Sequence, residues 1–241
     1  DKDIFIREMV ANGCDAMSKY RKLVSLGEVR DDDPQYRIDV TLDEAARTLC
    51  FADTGIGMTA DEVEKYITQV AFSGAQEFLE KYEKGDDPGI IGHFGLGFYS
   101  AFMVADRVEI DTLSWQAGAT PVHWCCTGGE EYEIGDGERQ QRGTAITLHI
   151  AEGEEEFLDS VHVREVLEKY CGFLPYPIYL QAHDVEPEGE EAPADAAPAE
   201  TAPDGEPEAA VQQAEGEETP DAEQPINDVH PLWLKAPAEC G

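Results

Sequence analysis

Positive charge is scarce in this chain: 17 Lys and Arg stand against 52 Asp and Glu, for a formal charge of −35 over 241 residues. No basic patch is available to neutralise phosphates, which excludes nucleic acid as a general partner and disfavours attraction to anionic lipid. No run of about eighteen apolar residues occurs, so no segment reads as a membrane-spanning helix and no membrane is expected as a partner. The six cysteines, at 14, 50, 125, 126, 171 and 240, lack Cys-x-x-Cys pairing. That excludes the common zinc modules and a small secreted disulfide framework, and fits reduced thiols in a cytoplasmic protein. The first residue is Asp, and the residues after it already read as helix interior, so the natural amino terminus is expected further upstream.

Apolar residues are also missing locally. From Asp184 to Pro225 the chain has fifteen Asp or Glu, no Lys, Arg or aromatic residue, and seven of its fourteen prolines. Such a stretch cannot bury enough apolar surface to offset its ordering entropy and reads as a disordered acidic linker. The expected organisation is a globular domain over 1–183, a linker over 184–225, and the opening of a further domain over 226–241.

Asp3 to Leu23 reads as a long helix with a broad apolar face of Ile4, Phe5, Ile6, Met9, Val10, Ala16 and Tyr20. Strands are expected at Tyr36 to Leu42, Thr48 to Ala52, Arg107 to Thr112, Pro121 to Cys126, Glu130 to Ile134, Thr144 to Ile150 and Ile178 to Gln181. Thr59 with Glu62 three residues on makes a capping box for a helix to Tyr66. Phe98 to Val104 and Val161 to Tyr170 read as further helices, and Ile67 to Gly97 as a lid or binding loop. The irregular alternation excludes a doubly wound parallel sheet. The expected fold is α+β: a two-layer sandwich with helices on one face of a mixed, mostly antiparallel sheet.

Three constellations can carry chemistry. Glu8, Asn12, Asp15 and Lys19 share one stripe of the first helix. A solvated face explains the charges, but Asn12 and Gly13 are both poor mid-helix residues, and together they suggest close approach by something else. Asp53-Thr54-Gly55-Ile56-Gly57-Met58 puts a carboxylate at a strand end before two glycines. This is either a plain turn, or a site where Asp53 accepts a hydrogen bond from a ligand amino group while Gly57 admits a flat ring against Met58. Gly92-His93-Phe94-Gly95-Leu96-Gly97 feeds a helix start, where free N–H groups suit phosphate, although loop glycines alone produce the same pattern.

Taken in order with Arg7-Glu8-Met9-Val10-Ala11-Asn12-Gly13-Cys14-Asp15-Ala16, the run Phe98-Tyr99-Ser100-Ala101-Phe102 and Arg142-Gly143-Thr144, these pieces closely resemble the nucleotide-site motifs of the heat-shock protein 90 chaperones, the bacterial form in particular. The resemblance covers nearly all of 1–183 and resumes near Pro231-Leu232-Trp233, which looks like the start of the family's middle domain. It implies a Bergerat-type ATP-binding fold, ATP or ADP with Mg2+ as cofactors, client proteins as partners and a homodimeric clamp in the full-length protein. Residue by residue, it implies that Asp53, helped by Thr144, binds the adenine amino group in a pocket lined by Gly57 and Met58. Asn12 holds the metal and a phosphate oxygen, and Glu8 is the general base for the attacking water. Gly92, Gly95 and Gly97 wrap the phosphates under a lid over 67–92. The same transfer adds Asp15, Ala16, Lys19, Ile56, His93, Phe94, Leu96 and Phe98 to the nucleotide contacts.

Departures from the family pattern are Gly13-Cys14 in place of Ala-Ser, which brings a thiol near the pocket, and Tyr66 and Phe72 in place of polar residues. In the family a first strand and helix precede the position of Asp1, and a middle-domain arginine reaches the terminal phosphate. A chain without these is expected to hydrolyse ATP very slowly.

Overall fold

A computed structural model describes residues 2–32, 34–68, 96–128, 131–183 and 224–229. Helix α1 (Ile4–Ser25) comes first, then strands β1 (Ile38–Asp43) and β2 (Thr48–Asp53). A short helix α2 (Ala60–Val63) runs into a π turn (Glu64–Thr68), and a 3-10 segment (Leu96–Met103) leads into β3 (Ala105–Leu113). Strands β4 (Val122–Cys126), β5 (Tyr132–Asp136) and β6 (Gly143–Ile150) follow, then a 3-10 turn (Glu155–Leu158), α3 (Ser160–Cys171) and β7 (Ile178–His183).

The seven strands form one sheet in the order β5-β4-β3-β6-β2-β1-β7. Every neighbouring pair is antiparallel except β1 with β7. Ile38, Val40 and Leu42 of β1, Leu49 and Phe51 of β2, and Val108 and Ile110 of β3 are buried at alternate positions, so one face of the sheet carries the core. Against it lies α1, which buries Phe5, Ile6, Met9, Val10, Gly13, Cys14, Met17 and Tyr20 at helical spacing. The 3-10 segment packs on β3 and α1, and α3 on α1. Phe5 meets Phe157 edge-on at 5.0 Å and Phe51 at 6.4 Å between ring centroids, tying helix to sheet. This is the mixed, mostly antiparallel α+β sandwich that the sequence implies.

Several local readings differ in detail. The Thr59 capping box forms with both reciprocal bonds, but only four residues are α-helical before the ladder widens to the π turn. Phe98 to Val104 is wound as a 3-10 helix over Leu96–Met103, with Ser100 Oγ donating to the Gly97 carbonyl. Eight residues is long for that geometry. The strand at Glu130 to Ile134 lies instead at Tyr132–Asp136, and the 3-10 turn at Glu155–Leu158 has no counterpart among the expected elements. The tract 184–223, most of the expected linker, lies outside the described residues.

Beyond that tract, residues 224–229 lie on the α3–β7 connection. The buried Asn227 side chain accepts from the Ile178 N–H and donates to the Leu174 and Tyr176 carbonyls, each at 2.8 Å. Ile226 N–H bonds the Ile178 carbonyl at 2.8 Å and Asp228 N–H the Gly172 carbonyl at 2.9 Å. Asn227→Ala removes three bonds and strands a buried N–H, so a loss of about 2–3 kcal/mol is expected in urea unfolding. A change under about 0.5 kcal/mol would mean that this strap contributes nothing to the fold.

Candidate nucleotide site

A cavity of about 610 Å³ opens between α1, the ends of β2 and β6, and the α2 region. Two glycines let its walls approach. A Cβ on Gly13 would stand 3.1 Å from Ile38 Cδ1 and 3.2 Å from Asp53 Cβ, so this glycine is where helix meets sheet. Gly57, at φ +64°, has no room at all: its Cβ would lie 1.9 Å from the Leu113 carbonyl oxygen.

Asp53 forms the cavity's buried polar floor. Its Oδ1 accepts the Gly55 N–H at 2.7 Å, and its backbone pairs with Thr144 across the β2–β6 ladder. Burial pushes its carboxyl up from an ordinary 3.8 to about 6, against the opposing pull of the Gly55 N–H, Arg139, the Thr144 N–H and Arg142. A carboxylate kept under-solvated in this way is a strong acceptor for a ligand N–H donor. Beside it, Thr144 Oγ1 and Thr112 Oγ1 are 2.9 Å apart, and Thr112 Oγ1 also takes the Met58 N–H at 3.0 Å.

The turn after Asp53 is held from both sides. Ile56 N–H donates to the Ala16 carbonyl of α1 at 3.2 Å, and the Ile56 carbonyl accepts from Trp115 N–H at 2.9 Å. Behind the turn, Arg142 donates to the Thr54 and Gly55 carbonyls, stacks 3.5 Å over the Tyr20 ring and pairs with Asp31. Tyr20 in turn donates to Asp31 at 2.7 Å.

Of the residues singled out from the sequence, Asn12, Asp15, Ala16, Lys19, Asp53, Ile56, Gly57, Met58, Phe98 and Thr144 line the cavity. Asn12, Asp15 and Lys19 form an exposed polar rim along α1. Glu8 does not line it: it sits one turn before Asn12 and faces Gly97, where an added Cβ would come within 2.5 Å of Glu8 Oε2. Gly92, His93, Phe94, Gly95 and Phe72 lie outside the described residues, and Leu96 is described only as the start of the 3-10 segment. Most of the lid expected over 67–92 is also outside them.

The Cys14 side chain belongs to the core cluster and not to the cavity wall. Burial, reinforced by Cys171, Asp15 and Asp53, pushes its thiol up to about 12, so the thiol stays protonated and unreactive. Met9, Ile38, Phe51, Ile146, Glu62 and Ile67 also line the cavity without having been singled out for it, and so does Tyr66, named from the sequence only as a departure from the family pattern. Phe51 and Ile146 were within reach, because each stands two residues along a strand from Asp53 or Thr144 and so points to the same face. Thr112 carried no signal of its own, since its place depends on the β3–β6 register.

Residues 4–124 match the family model described as histidine kinase-, DNA gyrase B-, and HSP90-like ATPase, and the chain belongs to that family. Within it, the chain is 42% identical over 239 residues to the chaperone protein HtpG of Porphyromonas gingivalis, and 41% identical over 239 residues to that of Bacteroides fragilis. These alignments cover 99% of this chain and 31% of each relative. The HtpG of an Escherichia coli strain is 40% identical over 196 residues, covering 79% of this chain. The chain thus spans about a third of the length of these relatives, and the resemblance to the bacterial heat-shock protein 90 form stands.

Proposed function

We propose that this chain is the ATP-binding amino-terminal domain of an HtpG-type chaperone, with its adenine site on Asp53. The buried, under-solvated carboxylate at the floor of a half-apolar cavity carries this reading. Its free acceptor capacity suits an exocyclic amino group, Met58, Phe98 and Ile146 offer apolar surface for a flat base, and the rim of Asn12, Asp15 and Lys19 faces the more polar end of a nucleotide.

The Asn12 amide oxygen fits Mg2+: it is a hard oxygen donor of the kind that ion takes while keeping several waters, and it would hold the ion one helical turn from the Glu8 carboxylate. When bound, the ion offsets phosphate charge. Glu8 orients and polarises the attacking water, and the 3-10 segment behind Gly97 backs its side chain. Hydrolysis then drives a dimeric clamp acting on client proteins in the cytoplasm. The domain layout of 1–183, 184–225 and 226–241 belongs to the same proposal. Among the described residues, no helix is long and apolar enough to cross a membrane.

The test is calorimetric titration of the chain with Mg-ADP, followed by single-turnover hydrolysis of ATP. Wild type should bind one equivalent and turn over very slowly. Glu8→Gln should bind within about threefold of wild type yet lose at least about a hundredfold in hydrolysis, the range of a general base. A folded wild type that takes up no nucleotide sinks the reading.

A further inference from the structure

The face of the sheet turned away from the core carries a second cluster, on the opposite side of the β3–β6 ladder from the cavity residues Thr144 and Ile146. On β3, Glu109 and Asp111 are two residues apart and project to this same face, a like-charge pair on one strand. Each is met by an imidazole from a neighbouring strand. His123 of β4, directly opposite Asp111 in the ladder, places Nδ1 2.9 Å from Asp111 Oδ1. His149 of β6 places Nε2 3.1 Å from Glu109 Oε1. Two separate hydrogen-bonded pairs would account for those contacts alone. The further observation is convergence: one ligand atom each from Glu109, Asp111 and His123 lie within 4.8 Å of one another.

We propose that Glu109, Asp111 and His123 form a binding site for a divalent transition-metal ion of the zinc class, with His149 orienting Glu109. One imidazole and two carboxylates are the ligand types such an ion accepts, and three protein ligands leave a position for water. Tetrahedral ligands at zinc distances stand about 3.4 Å apart, so the set closes by side-chain rotation without moving the strands. All three side chains are partly exposed, which leaves them free to rotate and gives the ion access from solvent. Ligating carboxylates are themselves held by hydrogen bonds, and His149 Nε2 is placed to give one to Glu109.

Arg107 Nη2 pairs with Glu109 Oε1 at 2.6 Å and competes for it, while its Nε donates to Cys125 Sγ at 3.3 Å; with its side chain 47% exposed, water can replace the Glu109 contact when that carboxylate turns to an ion. Bound metal would cross-link β3 to β4, which carries the edge strand β5, and so pin that side of the sheet.

The experiment uses the whole chain without a histidine tag and without nucleotide, titrated with Co2+ by visible absorption and with Zn2+ by calorimetry. One equivalent is expected to bind, with nitrogen and oxygen ligation in the cobalt spectrum and a rise in Tm with zinc. His123→Gln and Asp111→Asn should each weaken binding at least tenfold and remove the Tm rise. Arg107→Ala should bind as tightly as wild type or tighter, because a competing cation is gone. Absence of binding by wild type, a thiolate-to-cobalt charge-transfer band, or unchanged affinity in both ligand variants would overturn the site. Equal loss in Arg107→Ala would overturn it too, by showing that the signal follows folding and not ligation.

Discussion

Asp53→Asn is expected to weaken Mg-ADP binding at least about a hundredfold while leaving the empty protein more stable at pH 7. The two effects have one cause. Asp53 Oδ1 already accepts the Gly55 N–H, so in the variant the amide oxygen keeps that bond and the NH2 group turns toward the cavity. A ligand amino group then faces a donor where it needs an acceptor. Loss of a hydrogen bond to a charged partner is worth about 1.5–3 kcal/mol, and the new donor–donor contact adds to it.

The stability effect follows from linkage. The folded carboxyl titrates at about 6 and the unfolded one near 3.8, so between those values the folded state holds a proton that the unfolded state has lost. The contribution of Asp53 to stability is therefore most favourable below about pH 4 and is lost as pH rises through 6, a swing of about 3 kcal/mol. Asn carries no such charge. In urea unfolding at a series of pH values, the advantage of the variant over wild type should grow from pH 4 to pH 7 by up to about 3 kcal/mol. Binding within tenfold of wild type would remove Asp53 from the adenine role. A stability difference independent of pH would show that burial does not strain this carboxylate.

Much of this site could be read from residues that break a local rule. Asn12 and Gly13 are poor in mid-helix, and the structure supplies the reason for Gly13 in its contact with Ile38 and Asp53. The capping box at Thr59 and the alternation in β1, β2 and β6 were legible because both depend only on residues near in sequence. What could not be read depends on register and on competition between similar geometries. Thr112 reaches the floor of the cavity only because β3 pairs with β6 so that Thr112 faces Thr144. The bracket of Arg142, Asp31 and Tyr20 joins three segments, and no pattern within any one of them shows that they meet. The same apolar pattern serves α, π and 3-10 winding, so the type of the Leu96–Met103 helix was set by packing. Cys14 was placed in the right neighbourhood, but which way its thiol points depends on the rotation of α1 against the sheet.

Gly57→Ala tests how rigidly the turn holds the cavity. Two penalties act there, and a second glycine separates them. Gly27 also has positive φ, +71°, but a Cβ added to it meets nothing within 4 Å, so Gly27→Ala reports the backbone strain alone, about 1 kcal/mol. At Gly57, with φ +64°, the same strain is joined by a collision at 1.9 Å with the Leu113 carbonyl oxygen. That oxygen belongs to a strand, and the turn opposite it is fixed by the Ile56 carbonyl on Trp115 and by the Met58 N–H on Thr112. Neither side can move without breaking one of these bonds. A loss of at least about 3 kcal/mol is therefore expected for Gly57→Ala, from strain and overpacking together. The fraction that still folds should bind Mg-ADP more weakly, because relief of the collision displaces Ile56 and Met58 from the cavity wall. Equal costs at the two glycines would mean that the turn yields freely, and that the cavity is shaped by its ligand and not in advance of it.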